Sequence, residues 1–303
     1  MPNPSTVAHG AGVSVPWYVW PVCVRTTIAV LALTPAVVLG RAASERDAPP
    51  RDRDVLSRAG AVVLRYEKEL PRLVARETST QRATNRTQGV VLEQRQLVAE
   101  FGWVAFPGSS DVVGVRDVVE VDGRALTTER ERLQSLLHGS RAGAGVEIRR
   151  LLDEAARYNL NIGEGSRNLN LPTLVLFFLH PQAQPRFSWS RRSPTSADAW
   201  DFEFKESDRP TLIHAGADGR DPVVSHGRVL IEPNTGIVRR SELRLRLAGI
   251  NYTLVTTFNR VAALDLVLPV SLEESYETST EIVVGTATYD NYRRFETDAR
   301  ILP

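Results

Sequence analysis

The chain has 303 residues, 42% hydrophobic and 24% charged, with 37 basic and 36 acidic side chains and a net charge of +1. That composition fits one large globular domain or two small ones. The near-zero charge gives no electrostatic footprint for DNA or RNA. Only Lys68 and Lys205 are lysines, and the arginines are spread along the chain rather than clustered for anion binding.

Residues 1–43 contain no acidic residue. Arg25 is followed by the apolar run Thr26–Gly40 and then by small residues, the layout of a secretory signal with cleavage expected near Ala42 or Ala43. The alternative is an uncleaved anchor over Trp17–Gly40, a stretch interrupted by Arg25 and two prolines. The one cysteine, Cys23, lies in this segment and lacks the small-residue context of a lipid-attachment site. The expected mature chain therefore has no disulfide and no thiolate metal site. Residues 44–53 read as a charged, proline-containing linker, and residues 54–303 as a single domain with a helical insertion at about 127–180.

Asp54–Glu77 shows helical spacing, with Val55, Ala59, Val62, Val63, Tyr66, Leu70, Leu73 and Val74 on one face, Asp54 as N-cap and Pro71 as a disturbance. Gly89–Phe106 and Asp111–Val121 read as strands, followed by a tight turn at Asp122-Gly123. In the second strand Val113, Val115 and Asp117 share one face, and Val112, Gly114 and Arg116 the other. The insertion holds a helix with Leu133, Leu136 and Leu137, capped by Thr127 or Thr128 and ended by Gly139. A second runs from about Gly145 to Tyr158, with Val146, Ile148, Leu151, Leu152 and Ala155 inward. Pro172 introduces a short apolar helix, Thr173–Leu179.

From Trp200 onward the chain reads as successive β-hairpins. Trp200, Phe202 and Phe204 face away from Asp201, Glu203 and Lys205. Thr211–Ala215 reads as a short strand. Glu232-Pro233-Asn234-Thr235-Gly236 is the clearest turn, because proline presets one dihedral and glycine accepts positive φ. Ile237–Leu247, Ile250–Phe258, Leu268–Tyr276 and Glu281–Phe295 follow as antiparallel neighbours. The expected fold is α+β: a strongly curved antiparallel β-sheet, an incomplete barrel, covered by helices on its concave face.

No catalytic motif stands out. His138, His180, His214 and His226 lack the spacing of a metal pair on a helix, and no serine-hydrolase elbow, P-loop or dinucleotide fingerprint occurs. No cofactor or metal is expected, and no enzymatic activity. The densest polar cluster outside the strands is Arg157, Asn159, Arg167, Asn168 and Asn170. It reads either as side chains holding a long loop by its backbone or as a polar rim around a ligand mouth. Phe187, Trp189, Trp200, Phe202, Phe204, Tyr252 and Phe258 form either a plain core or the lining of an apolar ligand site.

This order of elements resembles the periplasmic lipoprotein-carrier fold of the LolA and LolB type, over most of residues 54–297. The resemblance lies in the arrangement alone, with no diagnostic motif, so no family residue is transferred. The end of the chain, from Gly285 to Phe295, also looks like the closing strand of uncharacterised exported bacterial proteins. The resemblance implies an exported, periplasmic or secreted protein that binds or carries a lipid or a lipoprotein acyl chain. Two other functions compete: an envelope interaction module with a solid core, and an envelope hydrolase using two or more of Glu154, Asp218, Asp221, His214 and His226.

Overall fold

The computed structural model describes residues 50–105, 112–126, 132–133, 136, 144–162, 171–192, 198–215, 221–247 and 249–294. The expected signal (1–43), most of the linker, His138, Arg167, Asn168, Asn170 and Asp218 lie outside the described residues.

The described chain is mainly antiparallel sheet. In order come α1 (Asp52–Glu69), β1 (Leu73–Asn85), β2 (Val91–Ala105), β3 (Val112–Val121), β4 (Arg124–Ala125), α2 (Ala144–Tyr158) and α3 (Leu174–Phe178). The rest is β5 (Phe187–Arg191), β6 (Trp200–Glu206), β7 (Ile213–Ala215), β8 (Asp221–Val223), β9 (His226–Ile231), β10 (Val238–Leu247), β11 (Ile250–Val261), β12 (Leu266–Glu277) and β13 (Glu281–Arg294). Eleven strands form one sheet in the order β4-β3-β2-β1-β13-β12-β11-β10-β9-β6-β5, and β7-β8 form a small separate ladder. The large sheet is not closed into a barrel. Two meanders, β1–β4 and β9–β13, are joined where β1 pairs with β13 from Leu73↔Arg294 to Asn85↔Glu281.

The first helix differs from the expected one at both ends. It starts at Asp52, and Asp54 accepts the backbone N–H of Arg51 at 3.2 Å rather than serving as N-cap. It stops at Glu69, because Pro71 sits in a single 3₁₀ turn, Leu70–Arg72, and has no N–H to continue the ladder. Leu73 and Val74 therefore begin β1 instead of ending a helix. In α2, Ile148, Leu151 and Ala155 are buried as expected, whereas Val146 is exposed. The hairpin turns fall where the sequence places them, with Asp122 at φ 50°, Gly123 at 75° and Gly236 at 75°.

One face of the sheet carries the main core. Phe101, Trp103, Leu243, Leu254, Leu272, Phe202 and Phe204 belong to a single apolar cluster with Val55, Ala59, Val63 and Tyr66 of α1 and Val175, Leu176 and Phe178 of α3. A second cluster brings Val74, Val104, Val113 and Val115 against Ile148 and Leu151 of α2, and a third brings Leu97, Ala99 and Val118 against Ala155 of the same helix.

Helix α1 runs across the strand ends. Its residues meet the strands in spatial order: Asp52 pairs with Arg191 of β5, and Arg58 donates to the Pro233 carbonyl in the β9–β10 turn. Further along, Tyr66 donates to the Val267 carbonyl of β12, and Glu69 pairs with Arg294 of β13. The magnitudes agree, because 18 helical residues extend about 27 Å and seven strands from β13 to β5 span about 29 Å if flat.

Gly236 sits directly beneath α1, where an added Cβ would fall 2.4 Å from the Arg58 carbonyl carbon. Gly249 has a similar φ of 81° with open space around it. Both Gly→Ala variants incur the left-handed backbone penalty of about 1–2 kcal/mol. Gly236→Ala should lose a further ~1–3 kcal/mol from the forced separation of helix and turn. Urea unfolding of the two variants measures the difference, and equal losses would show that α1 does not rest on this turn.

Candidate functional site on the inner face

The sheet register places a polar island in the middle of the apolar face. Residues opposite one another on neighbouring strands share a face. Glu77 of β1 lies opposite Tyr289 of β13 and Ala99 of β2, and Ser79 opposite Ala287, itself opposite Leu272 of β12. Gln81 lies opposite Gly285, which is opposite Glu274. From the other side, Arg116 of β3 faces Phe101 of β2. All of these polar side chains are buried, Glu77 to 1% exposure and Arg116 to 6%.

Arg116 and Glu77 form a two-point ion pair, with Nε donating to Oε1 and Nη2 to Oε2, both at 2.6 Å. The guanidinium also lies 5.6 Å from the Phe101 ring centroid. Burial disfavours its charge, but the Glu77 carboxylate and its hydrogen bonds outweigh that and raise the Arg116 pKa above its ordinary value. The Glu274 carboxylate accepts from the Tyr276 hydroxyl at 2.6 Å and lies over Gly285, where a Cβ would come 2.3 Å from Oε1. The Gln81 amide donates to Asn159 at 2.9 Å, and its oxygen accepts the Leu160 backbone N–H at 2.8 Å. Glu77, Ser79, Gln81, Arg116 and Glu274, with Leu272 and Ala287, line a cavity of about 10 Å³, room for a single water molecule. The Tyr289 hydroxyl is buried beside Glu77, and burial followed by that carboxylate's charge pushes its pKa well up.

The aromatic residues expected to line a ligand site share the main core with this island. Phe187 packs on Phe204 at 5.7 Å between ring centroids and on Phe178 of α3 at 4.9 Å, and Trp189 lies 5.5 Å from Phe204. Trp200 lies beside Phe202 and beneath the Arg191 guanidinium, 4.1 Å from its ring centroid. Tyr252 meets Tyr276 edge-on at 5.2 Å, and Phe258 is buried in the same cluster. Of the expected polar rim, Arg157 is exposed on α2, whereas Asn159 points inward to Gln81.

The proposed hydrolase groups fall on different elements. Glu154 of α2 is bound to Arg132, which also holds Asp117 of β3. Both His214 and Asp221 sit on the small β7–β8 ladder, and His226 begins β9. Among the described residues no group of three His, Cys, Asp or Glu side chains is placed to hold a metal ion. Burial, then the nearby Arg244 and Lys205 charges, lower the His226 pKa.

Sequence reading missed Glu77, Ser79, Gln81, Arg116, Glu274 and Tyr289. The available signal was a charged residue at an inward register position. Glu274 follows Leu268 and Leu272 and precedes Tyr276 on the buried side of β12.

No protein-family model matches the chain, and no curated protein matches it. Among solved structures it is similar to a DUF1329 family protein from Desulfovibrio piger, at 9% identity over 82% of this chain and 95% of that one, with a TM-score of 0.32.

Glu77→Ala strands a buried guanidinium and should cost about 3–5 kcal/mol in urea unfolding, whereas Glu77→Leu combined with Arg116→Met should recover most of that loss. A double variant no more stable than Glu77→Ala would mean that the ion pair itself holds the sheet together.

Proposed function

We propose that this chain is an exported envelope protein, periplasmic or secreted, that binds or carries an apolar ligand such as a lipid or a lipoprotein acyl chain. In this reading residues 1–43 direct export, and α1 and α3 roof the concave side of a curved sheet. The ligand lies between roof and sheet, against the surface formed by Phe187, Trp189, Trp200, Phe202, Phe204, Tyr252 and Phe258.

The observation that carries the proposal is the buried Glu77–Arg116 pair beside a cavity, on a mainly apolar sheet face. A face that only packed against helices would gain nothing from it, since apolar replacements of a buried ion pair are commonly neutral or stabilising. A ligand with both polar and apolar parts gives such a pair a purpose.

A second reading, an interaction module with a solid core, draws on the ring-on-ring packing of Phe178, Phe187 and Phe204. Native mass spectrometry of gently purified protein separates the two. The carrier reading expects a co-purifying lipid mass and, after its removal, uptake of a neutral solvatochromic dye. Protein free of lipid, with no dye uptake and a single protein partner in cellular cross-linking, would establish the interaction module instead.

A further inference from the structure

We propose that the small β7–β8 ladder is the ligand's entry: a flap over β10, latched shut by Glu206, that lifts to open the apolar interior. The inference rests on the ligand-binding reading above and deepens it.

Two strands of three residues each are too short to be stable alone in water. Among the described strands β7 and β8 pair only with each other, and they take no part in the eleven-stranded sheet. Their order therefore comes from what they rest on. Ile213 and Val223 lie directly opposite each other, share a face and are both buried in the main core. On the other face Pro222 is exposed and His214 half-buried. The flap lies against β10, whose Leu243 and Leu245 belong to the same core. Leu245 is opposite Tyr252, and Leu243 is opposite Gly227, itself opposite Phe204. The flap thus covers β10 between two of the rings assigned to the ligand.

Both feet of the ladder meet one side chain at the end of β6. The buried Glu206 carboxylate accepts the Leu212 N–H, just before β7, at 2.6 Å and the Ser225 N–H, just after β8, at 3.2 Å. Its own backbone N–H donates to the Ser225 carbonyl at 2.8 Å. Burial raises the Glu206 pKa despite those bonds, so its charge is costly where it sits. Opening returns the carboxylate to water, which offsets part of the loss of its two bonds. A latch balanced in this way can release without unfolding the sheet beneath it.

The test combines amide hydrogen exchange with stopped-flow uptake of a neutral solvatochromic dye by the purified protein. The amides of Leu212, Ile213, His214, Val223 and Ser225 should exchange through an opening that leaves β10–β12 protected. Glu206→Gln keeps one acceptor and turns a donor toward the other N–H. It should speed that exchange, and both uptake and release of the dye, by about tenfold, the worth of one hydrogen bond to a charged group. The equilibrium affinity should stay unchanged, because Glu206 lies outside the surface assigned to the ligand. Should Glu206→Gln fail to fold, Val223→Ala loosens the other side of the flap and should act in the same direction. Uptake rates unchanged in the folded variant, or flap amides that exchange only together with those of β10, would overturn the flap while leaving the carrier reading intact. No dye uptake by the unaltered protein would overturn the carrier reading, and the entry role with it.

Discussion

An open antiparallel sheet this wide has one apolar face that water must not reach, and the packing of α1 across seven strands is what the described structure uses to meet that demand at one end. The helix is amphipathic and about as long as the strands it crosses are wide. Polar contacts tie both of its ends and its middle to successive strands or turns: Asp52 to Arg191, Arg58 to Pro233, Tyr66 to Val267 and Glu69 to Arg294. Alone, a helix of this length is marginal in water, so its order comes from the sheet, and that end of the sheet is closed by the helix. The pairing of β1 with β13 matters as much, because it alone fuses the two meanders into one surface.

Within that surface the polar island runs against the general rule. Every buried carboxylate or guanidinium costs desolvation, and the Glu77–Arg116 geometry offsets this cost only through two short hydrogen bonds. Around it the Gln81 amide fixes the start of the loop after α2 by bonding both Asn159 and the Leu160 backbone. The island thus has a structural duty, anchoring that loop, alongside the recognition role proposed for it.

The C-terminal meander was legible in the sequence because each strand alternates and each turn carries its own chemistry. Gly236 after Pro233, and the Leu243-Leu245-Leu247 stripe against arginines, are read directly from spacing. The first strand was not legible. Pro71 ends α1 eight residues before the expected terminus, and β1 then turns Glu77, Ser79 and Gln81 inward, so hydrophobic periodicity gave no strand signal where the sheet needed one. The same inversion hid the candidate site. An alternation argument assigns charged residues to solvent, and Arg116, Glu77 and Glu274 are buried only because long-range pairing of β1 with β2 and β13 brings them together. The aromatic core was found from sequence, but whether its rings meet one another or a ligand depends on packing that spacing does not encode.

Amide hydrogen exchange on α1 tests the central claim most directly. If the helix is held by the strands it crosses, the amides of Val55–Tyr66 should exchange only through the same opening that exposes the cores of β11 and β12, with matching free energies and the same response to denaturant. Exchange from α1 through a separate, low-energy opening, with β11 and β12 still protected, would contradict the account, because the sheet would then keep its structure without its helix.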